Sequence, residues 1–408
     1  MTLAAHPTLR ANPGLGDLSR LRAALAALIA AGLVSGVWHL SSQPGSGKLS
    51  LSLAFGALFG FVLQRSRFCF ACHWRDLLDR GDPRGVLAIL AALALGMAGT
   101  TAVIGGWLPD PGGTRLPPDA HIGPVGPVLV LAGAAFGAGM AISGSCISAH
   151  LYRLGEGSPT SPFALAGAAL GFVAGFWTWN PLYLASVSDA PVLWLPRHLG
   201  YGGALLLGLG ALAAIALALL GRYPVRRAPA AGTIDPLRSV FVERWPAWTG
   251  GLAVGALLTI AYLRIGPLGV TAEIGSRSRQ VAGEFGLLPA RLEGLDTFRG
   301  CATIVRDALL TPNGLFVAGL VFASFGAALL AGQFRPERLR RGHIGRGLAG
   351  GVLLGWGAMT GLGCSIGTLL SGISAGAVSG WVFAAAMFSA AALTTRLGRR
   401  WGLLPGPS

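Results

Sequence analysis

The chain holds five cysteines, at positions 69, 72, 146, 301 and 364. A protonated thiol is a weak donor on a polarisable sulfur. It can hydrogen-bond an anion without adding charge, and it matches a soft, sulfur-bearing ligand. A thiolate would repel an anion, so thiols in such a role are expected to stay protonated. The clearest candidates are Cys146, in GAGMAISGSCISAHLYRLGEGSP, and Cys364, in GWGAMTGLGCSIGTLLSGISAG. In each, a helix ends in a small-residue run, then comes Cys, then a short polar or Gly/Ser stretch, then another helix. Glycine lets the backbone turn sharply and approach a ligand closely. We therefore expect each Cys at a break in a re-entrant segment, near a short helix's N-terminus. The free N–H groups of such a terminus attract anions. Gly144, Ser145, Gly363 and Ser365 would shape these breaks. A lone membrane cysteine is more often a small hydrophobe at a helix contact.

Cys69 and Cys72 lie in FGFVLQRSRFCFACHWRD. Cys69-Phe70-Ala71-Cys72-His73 fits the c-type haem attachment pattern C-x-x-C-H. Its place among arginines at the end of an apolar span expected to face the cytoplasm argues against haem, which is attached outside the cytoplasm. A redox pair stays open, as does Cys69 alone lining a path. Arg65 and Arg67 are either orientation charges or anion-gathering groups at the mouth of that path. Cys301, in TFRGCATIVRD between Arg299 and Arg306, either receives substrate from outside or is incidental. No catalytic constellation stands out, and no metal or cofactor is implied.

The elements that must position these thiols are membrane spans. Mean hydropathy is +0.63, and only 12% of residues are charged, about half the share of soluble domains. Gly347–Thr395 carries no Asp, Glu, Lys or Arg, too long a stretch for one crossing of about 20 residues. It must cross twice, or dip in and turn back. Ten spans are predicted, near 22–40, 49–66, 85–107, 125–143, 162–180, 198–221, 246–264, 314–332, 346–362 and 377–395. The net charge of +15 sits in arginine clusters between spans, as the positive-inside rule produces. That placement argues against a nucleic-acid partner. It puts both termini in the cytoplasm of a multi-pass inner-membrane protein.

Shifting the chain so that Cys146 falls on Cys364 also carries Gly133, Gly137 and Gly139 onto Gly351, Gly355 and Gly357. Ser161, Ala166 and Ala168 fall on Ser379, Ala384 and Ala386. In the ten-span threading the two copies run in opposite directions. Inverted repeats with broken helices at the midplane are a transporter architecture. The expected fold is thus an all-α polytopic membrane protein with an inverted repeat. Residues 1–48 form a tail and an additional helix, 49–221 the first half, 222–245 an Arg-rich linker and 246–408 the inverted second half.

Three stretches, GALFGFVLQRSRFCF (56–70), Cys146 through LYRLGEG (151–157) and GVLLGWGAMTGLGCSIG (351–367), resemble the YeeE/YedE family of sulfur-compound transporters, in particular its thiosulfate-uptake members. The resemblance implies nine membrane helices plus short re-entrant elements in an hourglass. It implies thiosulfate passing three thiols, here Cys69, Cys146 and Cys364, by S–H···S hydrogen bonds. It also implies a cytoplasmic sulfurtransferase-like partner of the TusA type. Gly144-Ser145-Cys146 departs from the Gly-Gly-Cys common in the family, and the extra hydroxyl either narrows the path or adds a donor. Some relatives are linked to selenium. The readings in play are a transporter of thiosulfate or of another sulfur or selenium compound, a membrane thiol redox or sulfur-transfer enzyme using Cys69 and Cys72, and an anchor for a cytoplasmic enzyme.

Overall fold

The computed structural model describes residues 13–224, 235–298, 300 and 310–406. Cys301, with Arg299 and Arg306, lies outside the described residues. Helices account for nearly all the regular structure: α1 (Pro13–Ser42), α2 (Gly47–Ser66), α3 (Phe70–Arg80), α4 (Arg84–Trp107), α5 (Pro127–Ser143), α6 (Ile147–Gly155), α7 (Ser161–Leu182) and α8 (Leu195–Arg222). After the six-residue α9 (Pro236–Phe241) come α10 (Ala247–Arg264), α11 (Ala272–Glu284), α12 (Pro312–Leu330) and α13 (Arg341–Thr360). Then follow the short α14 (Ser365–Ser374), which opens with a π-helical stretch, and α15 (Val378–Arg400).

Among the described residues nine helical runs are long and apolar enough to cross a membrane, and α13 with α14 makes a tenth if the bent pair is one span. Each of the ten expected segments falls on one of these helices. The chain is an all-α polytopic membrane protein. Two of the runs, Gly47–Arg80 and Pro127–Gly155, pass through Cys69 and Cys146 as interrupted helices. Only the break at Cys364 bends sharply, by 45°.

Packing follows an exchange pattern. α5 packs on α15 and α13 on α7, while α5 and α13 also meet each other. Likewise α2 packs on α12 and α10 on α4. Small residues make the close contacts possible, as expected between helices that gain little from hydrophobic burial in lipid. At the α7–α13 crossing two G-x-x-x-G runs face each other. A Cβ at Gly355 would collide with the Ala168 carbonyl oxygen, and one at Gly171 with that of Val352. The loop before α5 is tied to the chain before α8, and that chain to the start of α15, by isolated bridges Pro124–Val192 and Trp194–Ala377.

Candidate functional site: three cysteine-capped helix breaks

The three breaks share one local construction. Two residues before each cysteine the backbone is left-handed: Arg67 (φ 52°), Gly144 (φ 88°) and Leu362 (φ 57°). The cysteine itself is extended and forms the N-cap of the next helix, Cys69 for α3, Cys146 for α6 and Cys364 for α14. A non-glycine residue in the left-handed region costs about 1–2 kcal/mol. Arg67 and Leu362 are therefore strained positions of the kind that cluster at functional sites. At the Cys146 break the left-handed residue is Gly144, which adopts that conformation without strain. Gly363 instead permits close packing, since a Cβ there would meet Thr368 Oγ1.

All three capping cysteines are buried. The Cys146 thiol contacts the Cys69 thiol and the backbone N–H of Ala149, and its Sγ lies 3.2 Å from Ser148 Oγ. The Ser365 hydroxyl, first residue of α14, faces the Cys146 thiol but closes no hydrogen bond. The N-termini of α3, α6 and α14 thus converge, each with the positive end of its dipole toward the thiols. A buried hydroxyl without a partner is uncommon, and here it points into the junction of the breaks.

Cys72, one turn into α3, extends the line. Its Sγ is 2.9 Å from Cys69 Sγ, and its backbone N–H donates to Cys69 Sγ at 3.3 Å. Arg153, two turns down α6, donates from Nη2 to Cys72 Sγ at 3.2 Å. Arg153 also lines a polar cleft of about 370 Å3 with Arg67, Glu156, Gln333 and Arg335. The sequence did not single out Arg153, and it offered Cys72 only as half of a redox pair with Cys69. A guanidinium inside an otherwise apolar broken helix was the available signal.

The other expected site residues separate. Arg65 is fully buried and clamps the end of α9: Nη1 donates to the Phe241 and Val242 carbonyls at 3.0 and 2.7 Å. Its Nε and Nη2 donate to Gln64 Oε1 (2.7 Å) and Gln333 Oε1 (2.9 Å). Of the two arginines, Arg67 is the one on the cleft. The Ser145 hydroxyl is not available as an extra donor, because it donates to the Gly144 carbonyl at 2.7 Å.

At the opposite end of the line, a cavity of about 20 Å3 borders the Cys364 break. His121, Trp179, Thr360, Leu362, Thr368 and Ser379 are among its lining residues. A series of neighbouring groups therefore links the two spaces: cavity, Cys364 break, Ser365, Cys146, Cys69, Cys72, Arg153, cleft.

Membrane spans broken at buried caps, with a small cavity beside one break and a cationic cleft beside another, are an arrangement that membrane transporters use. The chain belongs to the sulphur-transport family, whose profile it matches over residues 65–393. It is 28% identical over 345 residues to the thiosulfate transporter TsuA of Spirochaeta thermophila, covering 81% of this chain and 93% of that protein. Identity to TsuA of Escherichia coli is 25%, covering 81% of this chain and 89% of that protein. The probable transporter YedE of Escherichia coli is 26% identical over 216 residues, about half of each chain. The chain is a multi-pass transporter of sulfur compounds.

Proposed function

We propose that this chain imports thiosulfate across the bacterial inner membrane, passing the anion from Cys364 to Cys146 to Cys69 by hydrogen bonds from protonated thiols. The observation that carries the reading is the convergence of the three cysteine-capped helix N-termini, with the Cys69 and Cys146 thiols in contact. A dianion held there meets neutral S–H and N–H donors and three helix dipoles, which lower its desolvation cost without trapping it as a fixed cation would. The polarisable thiols match the sulfane end of thiosulfate. The two TsuA relatives, named as thiosulfate transporters and matched over nearly their whole length, support this substrate over a selenium compound.

The distribution of arginines assigns the Arg153 cleft and both termini to the cytoplasm. Residues 49–221 and 246–408 serve as the two inverted halves. Inside-negative potential opposes a dianion by about 2.3 kcal/mol per charge per 100 mV. Rapid removal inside is therefore part of the reading, by a small sulfurtransferase-like carrier of the TusA type docking at the cleft. Cys301 is assigned to the outer approach. The test is uptake of radiolabelled thiosulfate into cells without other sulfur importers, comparing the chain with Cys146→Ala. Uptake by the parent that the substitution abolishes, at equal membrane abundance, is the expected result. Undiminished uptake by a Cys146→Ala, Cys364→Ala double variant would sink the thiol relay.

A further inference from the structure

We propose that a second cationic cavity, beside α3, holds the phosphodiester headgroup of an anionic membrane phospholipid. The cavity, of about 140 Å3, lies between α3, α5, α13, α15 and the chain that follows α15. Arg75, Arg346 and Arg399 line it, and no Asp or Glu does among the described residues. It shares no lining residue with the Arg153 cleft. The inference stands apart from the transport reading, because it does not depend on which anion the thiols pass.

The three arginines are not equivalent. Arg399 is already neutralised: Nη1 and Nη2 donate to the two oxygens of Asp79 at 2.5 and 2.7 Å. Its Nε donates to the Pro405 carbonyl at 3.0 Å, which folds the chain after α15 back as one wall of the cavity. Arg346 donates from Nε to the Ile142 carbonyl at 3.0 Å, a bond that fixes its direction but leaves its charge unpaired. Arg75 has neither kind of partner. Its Nε is buried without a hydrogen bond, and Asp76 and Asp79 act on it only at longer range. The indole N–H of Trp74, also on this cavity, is buried and idle as well. Two guanidiniums within electrostatic reach of each other thus face one space with no counter-ion. Charges withdrawn from water are ordinarily paired, and the guanidinium fork matches a phosphate group by parallel hydrogen bonds.

The rest of the wall favours a lipid over a free anion. Leu78, Met140, Ala141, Ala391 and Leu404 give it an apolar side, which an inorganic ion does not need and a glycerol ester does. Leu393, Trp401 and Leu403, on and just past the end of α15, are 59, 66 and 68% exposed. Such a run suits a helix end that leaves hydrocarbon for the headgroup layer, where Trp concentrates. Basic pockets between membrane helices on the cytoplasmic side are suited to anionic headgroups, and the orientation assigned above puts this cavity on that side. A zwitterionic headgroup would bring its own ammonium against two guanidiniums, so the site should select lipids of net negative charge. The cavity also reaches Ala71 and Gly144. A bound headgroup therefore braces α3, which carries Cys72, against the turn that leads into Cys146.

The test is native mass spectrometry and thermal unfolding of the purified full-length protein in detergent, stripped of lipid and titrated with phosphatidylglycerol, phosphatidylcholine or inorganic phosphate. The parent should retain one phosphatidylglycerol and unfold at a higher temperature with it, and should gain nothing from phosphatidylcholine. Lipid-free Arg75→Gln loses no hydrogen bond at Nε, so it should unfold where the parent does. It should bind phosphatidylglycerol about ten- to hundred-fold more weakly, the scale of one hydrogen bond to a charged group. Trp74→Phe, which keeps a ring against Phe388, should weaken binding by a smaller factor with no change of charge. Arg396→Gln removes an exposed arginine of α15 outside the cavity and should bind as the parent does. Equal phosphatidylglycerol binding by Arg75→Gln and the parent, or equal retention of phosphatidylcholine, overturns the proposal. Inorganic phosphate that stabilises the parent as much as phosphatidylglycerol, with the same dependence on Arg75, overturns the lipid assignment. No arm measures thiosulfate, so failure here is distinct from failure of the transport reading.

Discussion

Ser365→Ala separates folding from transport. The Ser365 hydroxyl is 1% exposed as a residue and has no hydrogen-bond partner, so in the empty protein it is a buried donor left unmade. Such a group costs about 1–3 kcal/mol, partly offset by the packing its oxygen provides. Removing it should leave stability unchanged or raise it by up to about 2 kcal/mol. If the hydroxyl donates to the anion as it passes Cys146, its loss removes a hydrogen bond to a charged group, worth about 1.5–3 kcal/mol. At 1.36 kcal/mol per decade, uptake should drop roughly ten- to hundred-fold. Both quantities can be read from one preparation: thermal unfolding of the detergent-solubilised protein, and initial uptake of labelled thiosulfate at matched abundance. Opposite movements, with stability level or up and flux down, are the expected signature. Unchanged flux would refute the placement of Ser365 on the path, and a large fall in stability would refute the claim that its hydroxyl is unpartnered.

Other substitutions probe the frame. Arg65→Met leaves the Phe241 and Val242 carbonyls and two glutamines without their donor and should cost about 3–5 kcal/mol, the scale for breaking a buried charged hub, measured by chemical denaturation. Gly355→Ala puts a methyl against the Ala168 carbonyl and should cost about 1–3 kcal/mol through overpacking, with lower yield of folded protein. Cys72→Ala should slow uptake yet leave Cys146-dependent transport detectable, whereas a complete loss equal to Cys146→Ala would make Cys72 a full member of the relay. The His121 imidazole has its folded-state pKa lowered to about 4 from an ordinary 6.5, so the unfolded chain binds the extra proton first. The His121 contribution to stability should thus be lost as pH drops through that window, by about 3 kcal/mol, and His121→Gln should remove that share while the part due to the other buried histidines, His73 and His150, stays.

Much of the frame was readable from residues alone because the bilayer imposes a strong, local rule. A run of about 20 apolar residues must be a helix when no water is present to satisfy its backbone. Hence all ten expected spans coincide with helices. Repeated glycines and cysteines at matching positions likewise announced helix breaks, since few other residues tolerate such turns. Less legible was which side chains would face the junction. Arg65 and Arg67, two residues apart, look equivalent in the sequence, yet one is fully buried against α9 and the other lines the cleft. The left-handed turn at Arg67 separates them.

The sequence by itself determined that this is a multi-pass membrane protein with cysteines set into broken helices, because hydropathy and glycine spacing act within single elements. Tertiary structure decided that Cys69 caps a helix as Cys146 and Cys364 do, that Ser365 faces the Cys146 thiol, and that the Ser145 hydroxyl is already engaged. It also decided that Cys72 links to Arg153 and that His121 lies beside the Cys364 break. Each of those depends on helices far apart in the chain crossing at particular angles. Those crossings are set by backbone contact at small residues, such as Gly355 on Ala168, and no one-dimensional pattern encodes which small residue meets which.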